Sequence, residues 1–268
     1  MRRSRISLLA SAVAGTAAVL LALTPAATAA TATNYVALGD SYSSGVGAGN
    51  YISTSGDCLR STSGYPYLWY DQHTVSSFKF VACSGATTTD VINNQISALS
   101  TSTTLVSITI GGNDVGFAQV MEDCNLYGTD TCVAEVNAAE NTARTQLPGW
   151  LDNLYSQIHS RAPYAKVVVL GYPRFYDLSA WYCPGLSSTS RSKINEGADV
   201  LDGVISTEVS RFGFSFADVR SSFADGHEIC DYNKWLHSVD WSDITQSYHP
   251  YASGYSGGYQ PAMDAKTG

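Results

Sequence analysis

Ser41 stands in Gly39-Asp40-Ser41-Tyr42, just past a short apolar run, Asn34–Gly39. A serine held there by small neighbours could act as an exposed nucleophile, but its hydroxyl is weak without a base. The plainer reading of Ser after Gly-Asp is a turn and a helix N-cap. Asn113, in Gly111-Gly112-Asn113-Asp114, ends another apolar run. Its side-chain amide could donate to a developing oxyanion or simply cap the helix that follows. Gly85, in Ser84-Gly85-Ala86, would let a backbone N–H approach a ligand closely. The base has to be a histidine, and the chain has five. His73 and His159 lie in polar helical stretches and read as solvated. His227 precedes Glu228, but H-E-x-x-H fails because position 231 is Asp. His237 reads as a core or surface histidine. His249, in Ser247-Tyr248-His249-Pro250, occupies a polar loop near the C-terminus, which favours it mildly.

Rival chemistries fare worse. Gly45-Val46-Gly47-Ala48-Gly49 misses G-x-G-x-x-G, because position 50 is Asn, and it lacks the P-loop lysine. No C-x-x-C or H-x-x-x-H pair suggests a metal site, so no metal or organic cofactor is expected.

The elements that must position these residues follow from the apolar pattern. Strands are expected at Asn34–Gly39, Phe78–Cys83, Thr104–Ile110, Lys166–Leu170 and, more weakly, Phe214–Ala217. Thr87 to Asp90 fits a capping box ahead of Val91, Ile92, Ile96 and Leu99 at helical spacing. Val133–Arg161 reads as a long helix broken or kinked at Pro148. Ile194, Leu201, Val204, Ile205 and Phe212 give a further helix its apolar face. Strands alternating with helices imply a parallel sheet covered on both faces, and continuous apolar strands agree with that. In such sheets ligands bind beyond the carboxyl ends of the strands. The loops after Gly39, Cys83, Ile110 and Leu170 are therefore the ones to watch.

The chain has 268 residues, 44% apolar and 14% charged, which excludes a disordered or collagen-like polymer. Fifteen basic residues against 23 acidic give a formal charge of −8, and the absence of a basic run argues against nucleic acid. Residues 1–30 have the layout of a secretory signal peptide. Three arginines precede an uncharged run from Ile6 to Leu23, then Pro25 and Ala27-Thr28-Ala29. Cleavage is expected after Ala29, Ala30 or Ala32; a membrane anchor is the rival, disfavoured by Pro25. Residues 31–268 would then form one domain with 12 basic and 23 acidic residues, a net charge of −11. Six cysteines in an exported chain read as three disulfides, with 15 pairings open. Sequential pairing is the simplest: Cys58–Cys83, Cys124–Cys132 and Cys183–Cys230.

Together, Gly39-Asp40-Ser41, Gly85, Gly111-Gly112-Asn113-Asp114 and His249-Pro250 resemble the blocks of the SGNH (GDSL) hydrolase family, in family order and over nearly the whole mature chain. YVALGDSYSSGVGAG, LVSITIGGNDVGF and VVVLGYPR resemble its secreted bacterial lipase, esterase and phospholipase A1 branch. The resemblance implies a three-layer α/β/α sandwich with a five-stranded parallel sheet, flavodoxin-like in type. It implies Ser41 as nucleophile, His249 as base, and an oxyanion hole from the Ser41 N–H, the Gly85 N–H and the Asn113 side chain. It implies acyl esters of lipids as substrates, met at a transient membrane or micelle interface by a monomer; acetylated carbohydrate or small esters are the enzymatic alternative. A non-catalytic binding module using the surface aromatics is the remaining one. The chain departs from the family pattern where an Asp should stand three residues before the histidine, because position 246 is Gln. The expected substitute is a backbone carbonyl, that of Ser247 first and Gln246 second, accepting from His249 Nδ1; Asp243 or Asp240 folding over to the same nitrogen is the rival.

Overall fold

The computed structural model describes residues 32–267. The leader expected at residues 1–30 lies outside them. β1 (Thr33–Gly39), β2 (Val75–Phe80), β3 (Leu105–Thr109), β4 (Lys166–Leu170) and β5 (Ser215–Ala217) form one sheet in the order β2-β1-β3-β4-β5. Every neighbouring pair is parallel. The α/β sandwich expected from the sequence is thus present. The helices are α1 (Ser41–Ser44), α2 (Tyr65–Gln72), α3 (Thr88–Asp90), α4 (Phe117–Leu126), α5 (Gly128–Thr145), α6 (Leu147–Arg161), α7 (Ser188–Arg211), α8 (Arg220–Ala224), α9 (Ala252–Gly254) and α10 (Gln260–Thr267).

Each face of the sheet is covered for a reason visible in side chains. On one face, Tyr35 of β1 packs edge-on against Trp69 of α2, and its hydroxyl meets Ser107 of β3 at 2.7 Å. Met263 of α10 closes over the same hydroxyl. On the other face, Leu147 of α6 and Ile205 of α7 pack beside Gly111 at the end of β3. β3 is buried throughout, and β4 everywhere but at Lys166. Such side chains are each worth about 1.5–3 kcal/mol when fully removed from water. The chain leaves β1 toward β2 on one side and returns to β3 on the other. The gap between β1 and β3 is therefore the switch point where this topology binds ligands.

Several expectations need correcting. The second strand runs Val75–Phe80, not Phe78–Cys83, and its burial alternates because it is the sheet edge. Val81 and Cys83 still bond to Ala37 and Gly39 carbonyls, so the apolar run continues the pairing beyond the regular strand. The capping box at Thr87 and Asp90 is present, but the helix it opens is one turn long and passes into π and 3-10 turns by Ala98. The 133–161 stretch is two helices meeting at Gln146. Pro148 lies in the first turn of the second, where its missing N–H costs nothing. The helix expected after Asn113 is α4, but it starts at Phe117 with Gly116 as its cap, three residues beyond Asn113. The cysteines are joined as Cys58–Cys83, Cys124–Cys132 and Cys183–Cys230.

Candidate active site

β1 delivers Ser41. Gly39 turns the chain at φ +121°, and a Cβ there would lie 2.4 Å from the Thr109 carbonyl, so only glycine fits between β1 and β3. Asp40, not Ser41, caps α1, its carboxylate accepting from Tyr42 N at 3.0 Å. Ser41 is thereby the first residue of the helix, with an N–H that has no intrahelical acceptor. Its hydroxyl is left free for other work.

That hydroxyl lies 2.7 Å from His249 Nε2. The other ring nitrogen, Nδ1, lies 3.0 Å from the Ser247 carbonyl oxygen. A carbonyl only accepts, so Nδ1 carries the proton and Nε2 presents its lone pair to Ser41. Neither acidic rival reaches the ring. Asp240 is committed to its own turn, accepting from Ser242 N, Ser242 Oγ and Gln246 Nε2. Asp243 is exposed, and among the described residues its carboxylate has no hydrogen-bond partner in the site. Burial disfavours the imidazolium and lowers the His249 pKa from 6.5 to about 4, with the Ser247 carbonyl pulling the other way.

The loop carrying His249 is held from several sides. His237 N donates to the His249 carbonyl at 2.9 Å, and the Tyr42 hydroxyl donates to the Tyr248 carbonyl at 2.7 Å. Tyr248 adopts φ +65°, uncommon for a residue with a large side chain. Its own hydroxyl accepts from Asn125 Nδ2 at 2.7 Å. Such an outlier persists only where its surroundings over-determine it. Here it turns the chain so that the Ser247 carbonyl faces back onto the ring two residues on. The glycine run 45–49 serves the same loop: a Cβ at Gly47 would meet the Pro250 carbonyl at 2.6 Å.

The loops after β2 and β3 are clamped to one another. Asn113 Nδ2 donates to the Ala86 carbonyl at 2.9 Å, and Asp114 accepts from Thr88 N and Thr88 Oγ1. Asn113 therefore does not cap α4. A primary amide has two N–H donors, so one remains after the Ala86 bond. Gly85 takes φ +77°, and Cys58–Cys83 ties its loop to the segment before α2. Ser41, Gly85, Asn113 and His249 all line one cavity of about 560 Å³. Its remaining wall is mostly apolar, from α4, α5 and α7.

Two contributors were not singled out from sequence. Asp40 is buried and accepts from Thr109 Oγ1 at 2.6 Å and from the Tyr172 hydroxyl. Burial raises its pKa to about 6 against those donors. Tyr172, just past β4, also accepts from Gly112 N at 3.2 Å, so it couples the Ser41 loop to the Asn113 loop. The other histidines stand outside the site, and His159 is exposed on α6 as expected. His237 is buried with Nε2 2.9 Å from the Gly47 carbonyl. His73 is exposed as expected but stacks on Trp69, and His227 stacks on Trp235. Among the described residues no His, Cys, Asp and Glu cluster is arranged to hold a metal.

The sequence pattern of the GDSL-like Lipase/Acylhydrolase family matches residues 37–256. The chain belongs to that family. The resemblance read from its serine and asparagine blocks therefore holds. Within the family it is 52% identical to Lipase 1 of Streptomyces coelicolor over 267 residues, 98% of this chain and 99% of that one. The crystal structure of phospholipase A1 from Streptomyces albidoflavus NA297 superposes with a TM-score of 0.86 at 53% identity, covering 88% of this chain and 100% of that one. The crystal structure of an extracellular lipase from Streptomyces rimosus does so with a TM-score of 0.86 at 52% identity, over the same shares.

Proposed function

We propose that this family member is a secreted serine carboxylic-ester hydrolase acting on acyl esters of lipids, of the phospholipase A1 or lipase type. The observation that carries the reading is the 2.7 Å contact between Ser41 Oγ and His249 Nε2 at an apolar cavity of about 560 Å³. His249 takes the Ser41 proton as the hydroxyl oxygen attacks the ester carbonyl. The Ser41 N–H, the Gly85 N–H and the free Asn113 N–H receive the oxyanion. His249 then protonates the leaving alcohol, and water, activated by the same nitrogen, releases the acid. The Ser247 carbonyl keeps the imidazole in the tautomer that both half-reactions need. Every group in this cycle comes from one chain, so the reading needs no second copy.

An apolar cavity favours a fatty acyl chain over a sugar, which would want polar side chains. The similarity to a lipase and to a phospholipase A1 supports the same substrate class. Trp241 and Ile244 are exposed and line the cavity mouth, where a lipid or micelle surface would meet the protein. The leader layout of residues 1–30 and three disulfides support export, and one relative is named an extracellular lipase. No helix of the described residues is long and apolar enough to cross a membrane. A panel of phosphatidylcholine, triglyceride, p-nitrophenyl esters and acetylated xylan tests the reading. The expected result is turnover of the first three, negligible turnover of the xylan, and none on any by Ser41→Ala. A clear preference for acetylated xylan would move the enzyme to the carbohydrate esterases.

A further inference from the structure

We propose that Gly197 sets the acyl-chain length this cavity accepts, acting through Val136 on the facing helix. The inference rests on the ester-hydrolase reading and names a specificity determinant within it. α5 lines the cavity with Val136, Ala139 and Ala143, and α7 with Gly197, Ala198 and Leu201. Val136, Ala139 and Ala143 are spaced three and four apart, and Gly197 and Ala198 stand four and three residues before Leu201, so each set is one stripe of a helix face. α7 has 24 residues, about 36 Å at 1.5 Å each, roughly twice the length of a strand in this sheet. Ile205 lies level with Gly111 at the end of β3. The turns before Ile205 therefore stand beyond the carboxyl edge, above the serine. Gly197 is eight residues from Ile205, about 12 Å along the helix axis. An acyl chain esterified at Ser41 and entering between α5 and α7 runs toward it.

A glycine inside a long helix is unfavourable relative to alanine, so it calls for a packing reason. Here a Cβ would sit 2.9 Å from Val136 Cγ1 and meet nothing else within 4 Å. The obstacle is one side chain that itself lines the cavity, not backbone. A methyl at 197 turns Val136 toward the cavity that both residues line, and so takes space from the chain. Gly203, on the same helix, offers a contrast: it does not line the cavity, and its Cβ would meet nothing within 4 Å.

The test is the ratio of kcat/KM on p-nitrophenyl laurate to that on p-nitrophenyl butyrate. Each buried methylene is worth about fourfold, so displacing two in Gly197→Ala lowers the ratio on the order of tenfold. Val136→Ala raises it, the double variant returns toward wild type, and Gly203→Ala leaves it unmoved. An unchanged ratio in Gly197→Ala with its melting transition intact overturns the proposal and leaves Gly197 a helix-packing residue. Should Gly197→Ala not fold, an unchanged ratio in Val136→Ala overturns it equally. Wild-type protein inactive on both esters would defeat the ester-hydrolase reading itself, and this inference with it.

Discussion

His249 Nδ1 faces the Ser247 carbonyl at 3.0 Å, and Gln246 stands where the family pattern has an acid. A carbonyl fixes the tautomer but brings no full charge to stabilise the imidazolium. Removing a triad aspartate costs on the order of 10⁴ in kcat elsewhere. Here Asp240→Asn and Asp243→Asn are each expected to stay within about tenfold of wild type. A loss of 10³ in either, with the fold intact, would establish a carboxylate partner. The second consequence is electrostatic. Burial holds the imidazole neutral, so the base stays available as the pH falls and is protonated only near pH 4. Titration of His249 followed by NMR should show a midpoint of about 4, well below that of a free histidine; a midpoint at or above 6.5 would point to a charged neighbour. The tautomer was legible in the sequence because a two-residue turn needs no long-range knowledge. What bends that turn was not. The bond from Tyr42 to the Tyr248 carbonyl spans 206 residues, and a left-handed tyrosine leaves no sequence signal.

β1, β3 and β4 each end in a loop that holds the next one. Asp40 receives the Tyr172 hydroxyl, Tyr172 receives Gly112 N, and Asn113 holds the Ala86 carbonyl. On the proposed mechanism Asn113→Ala removes an oxyanion donor, and it should lower kcat on the order of 10²-fold with little change in KM. Tyr172→Phe should act in the same direction but more weakly, because it loosens the loop rather than deleting the donor. It should also cost about 1–3 kcal/mol of unfolding free energy, since Asp40 loses a buried partner. An effect of Tyr172→Phe on KM alone would place it in substrate binding. Serine and asparagine were legible because each follows a buried strand at the carboxyl edge. Tyr172 was visible only as part of the stretch VVVLGYPR; its function depends on strand order, which sequence pattern alone does not give. The break at Gln146 was legible through Pro148. The edge position of β2 was not, since VSSFKF and the apolar FKFVAC that follows it compete for the same strand.

Across the whole molecule, burial of β3 and β4 from both sides fixes the sheet, and the sheet fixes the distance between residues 208 apart. Surface chemistry adds a constraint on where the enzyme works. If residues 1–30 are removed as proposed, the remaining chain carries a net charge of −11, which would repel an anionic surface, and salt would screen that repulsion. At low ionic strength, turnover on phosphatidylcholine vesicles should exceed that on phosphatidylglycerol vesicles, and the gap should narrow with added salt. Faster turnover on phosphatidylglycerol at low salt would require a local basic patch that overrides the net charge. The central claim is that the fold brings Ser41 and His249 together as one activated nucleophile. Labelling with a fluorophosphonate followed by peptide mass mapping tests it most directly. The expected result is a single adduct on the peptide containing Ser41, abolished in Ser41→Ala and nearly so in folded His249→Ala. An adduct on another serine, or undiminished labelling of Ser41 in His249→Ala, would contradict it.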